Sequence, residues 1–117
     1  MSQWRREASD RLPELQSVIA SSTVNSPAQL WIELRFRFDE LCHQEAPPVD
    51  LLSRIWNYAK WCVGQRDGAV EWAATSHFFE HIEDTRRLRE VLPKFMSQQE
   101  YAQFTAIARL KGGDSDV

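Results

Sequence analysis

The sequence has few of the residues from which catalytic and cofactor sites are built. Its 117 residues include four Gly, two Cys and three His. It contains no Gly-x-Gly-x-x-Gly, P-loop or Gly-x-Ser-x-Gly pattern, so phosphate-cradling loops and the nucleophile elbow are excluded. No catalytic residue is predicted, and we expect a protein that is not an enzyme and that binds no cofactor.

The sequence also lacks a large excess of positive or negative charge, and it has no long apolar run. The 14 Lys and Arg are balanced by 17 Asp and Glu, which gives a net charge of −3. Nucleic-acid binding needs a stronger and more clustered positive charge, and no run of roughly 18 apolar residues is present to span a membrane. The pair Arg5-Arg6 is not followed by the apolar stretch of a signal peptide. We expect a cytoplasmic protein that binds neither nucleic acid nor membrane.

The two cysteines are predicted to be free thiols. In an antiparallel helical hairpin that turns at Pro47, Cys42 and Cys62 would lie about 13 Å apart along the helix axis. A disulfide needs Cα atoms within about 7 Å of each other. We interpret both cysteines as small apolar core residues of a reduced protein.

Aromatic residues are abundant in this chain. It has five Trp, six Phe and two Tyr, and 43% of its residues are hydrophobic, which favours a packed core over disorder. Apolar residues recur at helical spacing, and no strand-like alternation is found. We predict an all-α protein, a compact bundle of about five to six helices with orthogonal or bundle-like packing. A single domain is expected over 1–112, followed by a polar C-terminal tail at 113–117.

Capping residues place the helix starts. Ser26, Pro27 and Gln29 together form a capping box with a proline at the first helical position. The first predicted elements are an amino-terminal arm at 3–9, a helix at 11–20 capped by Asp10, and a helix from Pro27 to about Gln44. They are followed by a helix that Asp50 caps and a left-handed Gly64 ends, and by a helix from Gly68 to about Glu83. A short helix capped by Asp84 or Thr85 comes next, and a last helix begins with a capping box at Ser97 and continues through Phe104, Ile107, Ala108 and Leu110.

One predicted helix has the spacing of a metal site. His77 and His81 stand four residues apart with Glu80 between them, and two imidazoles at this spacing can chelate a divalent ion. The order differs from the His-Glu-x-x-His of zincins. We favour polar residues that hydrogen-bond at the margin of an apolar helix, with a metal-binding protein or metalloenzyme as the alternative function. A di-iron site at Glu40 and His43 is excluded, because both project away from the core face.

The five tryptophans divide by their place on the helical projection. Trp31, Trp56 and Trp72 lie on or beside core faces and are predicted to be structural. Trp4 belongs to the amino-terminal arm. Trp61 does not lie on the predicted core face of its helix, so packing in the core does not account for it.

Trp61 belongs to a set of residues that lie away from the core faces. Arg54, Tyr58 and Trp61 share one side of their helix, and Ile32 and Phe36 form a second stripe on the preceding helix. Aromatic and Arg residues are frequent hot spots of protein interfaces. We predict that this set binds a protein partner or a second copy of the chain. The alternative is that the helical hairpin is central and covered on both sides.

Arg86, Arg87 and Arg89 form the one basic cluster of the sequence. Neighbouring carboxylates favour a solvated network of ion pairs. A contact with a partner is the alternative, because arginines at a helix N-terminus are mildly unfavourable for the helix itself.

A resemblance rests on three segments. Phe79-Glu80-His81-Ile82, Leu88-Arg89-Glu90-Val91-Leu92-Pro93-Lys94-Phe95 and Ser97-Gln98-Gln99-Glu100-Tyr101 resemble an uncharacterised family of small bacterial all-helical proteins, a domain of unknown function. The resemblance implies a bacterial cytoplasmic protein and no reaction. Together with the absence of catalytic motifs, it leads us to predict a protein that acts by protein–protein interaction, of the adaptor or toxin-immunity type.

Overall fold

A computed structural model describes residues 2–103, which fold into helices joined by short turns, with no strand in that range. The α-helices are α1 (Gln3–Arg11), α2 (Gln16–Ile19), α3 (Pro27–Cys42), α4 (Val49–Val63), α5 (Gly68–His77), α6 (Arg86–Val91) and α7 (98–103). Single 3₁₀ turns lie at Pro13–Leu15, Phe79–His81 and Leu92–Lys94. The predicted all-α bundle is confirmed. The predicted continuation of the last helix and the tail at 113–117 lie outside the described residues.

Aromatic rings from α3, α4 and the end of α5 form the centre of the core. The Phe78 ring lies between Trp31 and Phe38, with ring centroids 4.9 and 5.0 Å away. Phe79 packs edge-on against Trp56 at 5.3 Å. Such pairs contribute about 0.5–1.5 kcal/mol each beyond the area they bury. This cluster joins the three longest helices into one core.

The amino-terminal segment differs from the prediction. Residues 3–9 are not an arm but belong to α1, and the helix predicted at 11–20 is interrupted by Pro13. Leu12 has φ −129° and ψ 58°, outside the helical region, because a proline excludes the preceding residue from that region. Asp10 lies inside α1 and caps nothing, and Pro13 begins a 3₁₀ turn instead.

Helix α1 is held against α4 by hydrogen bonds that cross between the two helices. The buried Tyr58 hydroxyl donates to the Trp4 carbonyl at 2.8 Å. Arg54 Nη1 donates to the carbonyl of Arg11 at 3.0 Å. Tyr58 also stacks on Trp31 of α3, with ring centroids 5.4 Å apart. The side of α4 that carries Arg54 and Tyr58 is therefore covered, as the alternative of a central hairpin expected.

The capping box at the start of α3 forms with one difference. The Ser26 hydroxyl accepts a hydrogen bond from the Gln29 amide at 3.2 Å, as predicted. The Gln29 side chain accepts from the amide of Asn25 at 2.6 Å, one residue before the cap. Helix α3 ends at Cys42, two residues before the predicted end.

The other boundaries are partly as predicted. Thr85 caps α6, and its hydroxyl accepts from the Leu88 amide at 3.1 Å. Asp50 does not cap α4, which begins at Val49 after Pro48, and its carboxylate instead accepts from Arg54 Nε at 3.0 Å. Gly64 ends α4 with φ −82°, so it is not left-handed as expected.

Helix α5 is shorter than predicted, since it ends at His77 and not near Glu83. Phe78 has φ −124° and ψ −65°, which breaks the helix. Phe78 and Phe79 are both fully buried, yet neighbouring residues of a straight helix point about 100° apart. The break lets both rings enter the core.

The hydrogen bond between Tyr58 and Trp4 gives a first prediction. Tyr58→Phe should lower the free energy of unfolding by about 0.5–1.5 kcal/mol, the net contribution of a typical intramolecular hydrogen bond, because it removes the bond that the buried Tyr58 hydroxyl donates to the Trp4 carbonyl. Urea denaturation measures this, and hydrogen exchange should accelerate most at the amides of α1. Equal acceleration in α1 and α3 would contradict the role we assign to this bond.

Candidate functional site

Trp72 is the most exposed large apolar side chain of the described residues, at 57%. The prediction that it belongs to the core is wrong, whereas Trp31 and Trp56 are buried as expected. Val70 and Ala74, which α5 buries, each stand two residues from Trp72. At about 100° per residue they lie about 160° around the helix from it, so the signal was in the sequence.

Trp72 stands on α5, which packs against α3, the helix that carries the exposed residues Ile32 and Phe36. Its ring stands edge-on to His77 at a centroid distance of 5.3 Å. His77 lies close enough to Arg35 to feel its charge, and the Arg35 guanidinium carbon is 5.6 Å from the Phe36 ring centroid. Ile32 stands one turn before Phe36. We name Ile32, Arg35, Phe36, Trp72 and His77 the α3–α5 surface.

Two residues of this surface were predicted to lie off the core, and their exposure is confirmed. Ile32 is 39% exposed and Phe36 is 56% exposed. Singly exposed apolar residues are ordinary on a protein surface, but aromatic residues are enriched at interaction sites. Sequence reasoning found these two residues of the surface and missed Trp72 on the other helix.

The electrostatics of the surface are set around His77. Burial lowers the pKa of this imidazole, and the charges of His81 and Arg35 lower it further, against an opposing effect of Glu80. His77 is therefore neutral at pH 7. Arg35 carries the positive charge of the surface.

The other predicted patch is largely covered. Tyr58 is 1% exposed and lies beneath α1. Trp61 is half-buried and stacks on Tyr58, with centroids 5.9 Å apart. Arg54 forms ion pairs with Glu14 and Asp50. The expectation of an exposed patch on α4 is wrong, because its aromatic members are covered by the helix that the sequence indicated only as an arm.

The ion pair between Arg54 and Glu14 changes the pKa of the Glu14 carboxyl group. Hydrogen bonding from Arg54 lowers the pKa of Glu14 to about 2. Glu14 therefore stabilises the fold above the ordinary pKa of a carboxyl group, and this contribution is lost as the pH falls towards 2.

The basic cluster makes mainly structural contacts. Arg87 donates to the Cys42 carbonyl at 2.7 Å and to the Gln44 carbonyl at 2.8 Å. A cation at this position stabilises the C-terminal end of α3. Arg89 donates to the Glu83 carbonyl at 2.6 Å. Arg86 is exposed and lies 3.6 Å from a carboxylate oxygen of Glu90.

The metal site considered as the alternative, at His77, Glu80 and His81, lacks the continuous helix that it needs. Because α5 ends at His77, His81 does not stand one helical turn beyond it on the same face. The His81 Nδ1 atom lies 2.7 Å from an Asp84 carboxylate oxygen. Within residues 2–103 no three His, Cys, Asp or Glu side chains are grouped as a metal ion would require. Glu40 and His43 are exposed, as expected.

Both thiols are free and buried. Burial raises the pKa of Cys42 to about 12 and that of Cys62 to about 11. A reactive cysteine needs a lowered pKa and access to solvent. The two residues therefore act as core side chains, as predicted.

No family model, no curated protein and no solved structure matches this chain. The resemblance to small bacterial helical proteins stays a prediction. Among the described residues, no helix is both long enough and apolar enough to cross a membrane.

The exposed fractions of the aromatic side chains predict which of them contribute to stability. Phe36→Ser and Trp72→Ser should each change the free energy of unfolding by less than about 1 kcal/mol. Trp31→Ala, which empties the centre of the core, should cost about 3–5 kcal/mol. Urea titrations of the purified variants test both statements. A loss of several kcal/mol for Trp72→Ser would show that this residue serves the fold.

His77 predicts a dependence of stability on pH. Its folded pKa lies below the ordinary 6.5, so the unfolded chain takes up this proton first as the pH falls. Protonation at His77 therefore destabilises the fold below about pH 6.5. The free energy of unfolding of the native protein minus that of His77→Gln should decrease from pH 7.5 to pH 5. A difference that rises over this range would contradict the lowered pKa.

Proposed function

We propose that this protein acts by binding another protein through the α3–α5 surface, as an adaptor or as a neutralising partner, and that it is not an enzyme. The observation that carries the proposal is the exposure of Phe36 and Trp72, each more than half accessible on adjoining helices. Trp is the residue most enriched at interface hot spots. A bacterial cytoplasmic setting, as the resemblance implies, is part of the same proposal.

The size of the exposed rings supports an energetic role. A Trp or Phe side chain presents roughly 150–250 Å² of surface. At about 25 cal/mol per Å², covering the exposed half of one ring corresponds to about 2–3 kcal/mol before the costs of association. Two such anchors are typical of a specific interface.

A photo-crosslinking experiment tests the proposal. The photoreactive residue p-benzoylphenylalanine replaces Phe36 in cells of the source organism, and the matched control replaces Val49. Val49 is also an exposed apolar residue, at 38%, but it begins α4 beyond the C-terminal end of α3. We expect one defined cross-linked protein from position 36 and none from position 49.

The captured protein is then purified and titrated against the native chain. Phe36→Ser and Trp72→Ser should each weaken this binding at least tenfold, and Val49→Ser should leave it within twofold. The same cross-linked products from both positions, or equal binding by all variants, would contradict the proposal.

A further inference from the structure

Arg35 differs from the other half-buried arginines of the described residues, each of which donates to an oxygen acceptor. Those contacts are Arg5 to the Val24 carbonyl, Arg11 to Glu7, Arg54 to Glu14, and Arg87 to the carbonyls of Cys42 and Gln44. Arg35 is half-buried as well, and within residues 2–103 it has neither a hydrogen bond nor an ion pair. It has lost part of its hydration without a compensating acceptor.

The carboxylate of Asp39, on the same helix, does not compensate Arg35. Asp39 stands one turn further along α3, and both residues line the same shallow cleft. The Asp39 carboxylate lies 3.6 Å from the Nδ1 atom of His43. It is thus directed along the helix towards its C-terminal end and away from Arg35.

The position of Arg35 links this charge to the apolar rings of the surface. Its guanidinium lies against the Phe36 ring, and its charge acts on His77, which in turn contacts Trp72. A planar guanidinium supplies several parallel donors that fit a carboxylate in a bidentate pair. An acceptor that reached Arg35 would place its neighbours over Phe36 and Trp72.

We infer that the segment that docks on the α3–α5 surface is an acidic protein segment, in which a carboxylate pairs with Arg35 and adjacent apolar side chains pack on Phe36 and Trp72. This inference rests on the proposed function. A polyanion such as nucleic acid does not fit this surface. Arg35 is the one cation that we assign to the surface, and the chain has a net charge of −3, so the attraction for a phosphate backbone is too weak.

Selection from a phage-displayed library of random peptides tests the inference on the full chain. We expect the enriched peptides to combine Asp or Glu with Leu, Phe or Trp. The best peptide is synthesised, and its affinity is measured for the native chain and for Arg35→Gln. The matched control is Arg37→Gln, which removes an exposed arginine of the same helix that already pairs with Glu40.

Arg35→Gln should weaken binding about tenfold or more, which is the effect of losing a hydrogen-bonded charge pair. Arg37→Gln should change it less than twofold. In a second peptide, Asn or Gln replaces the acidic residue. This peptide should bind the native chain weakly, and Arg35→Gln should weaken its binding no further, because the ion pair between Arg35 and the peptide is already absent. This coupling is the result that a merely structural role of Arg35 would not produce.

The failures of the two proposals are distinguishable. If no peptide is enriched, or if Phe36→Ser and Trp72→Ser bind the peptide as well as the native chain, both the proposed function and the inference are overturned. If binding depends on Phe36 and Trp72 but not on Arg35, only the acidic partner is overturned. A dimer in sedimentation velocity that Phe36→Ser disperses and Arg35→Gln does not would identify a second copy as the occupant and also overturn the inference.

Discussion

The packing of Phe78 between Trp31 and Phe38 is the contact on which the rest of the arrangement depends. It fixes α5 against α3 and ends α5 at His77, because the chain must turn to bury the next ring as well. It also explains why the two faces of α5 differ so strongly. One face meets the core, and the other carries Trp72 into solvent next to the exposed side of α3.

The second constraint is the cover that α1 places over α4. The Tyr58 hydroxyl and the Arg54 guanidinium find their partners on α1 and on the turn that follows it. Arg54 and Tyr58, which resemble interface residues on the helical projection, thus form contacts within the chain instead. The surface that is left over lies on α3 and α5, where Arg35 has no such partner within the described residues.

Local signals in the sequence were sufficient for much of the fold. The helical class, the caps at Ser26 and Thr85, and the buried face of α3 follow from spacing and capping chemistry, which act within a few residues. The length of α5 and the role of α1 depend on contacts between residues far apart in the chain. Two of the five residues of the candidate site, Ile32 and Phe36, were predictable for the same reason, while the unpaired state of Arg35 has no signature in sequence.

The contact between Trp4 and Tyr58 also bears on the order in which the chain folds. The two residues are 54 positions apart, and contacts of such long range form late because the intervening chain must first be closed into a loop. During synthesis α1 leaves the ribosome well before α4 exists to receive it. Helix α1 is therefore made before the helix on which it docks, and nascent chains that end before residue 58 carry Trp4 without its partner.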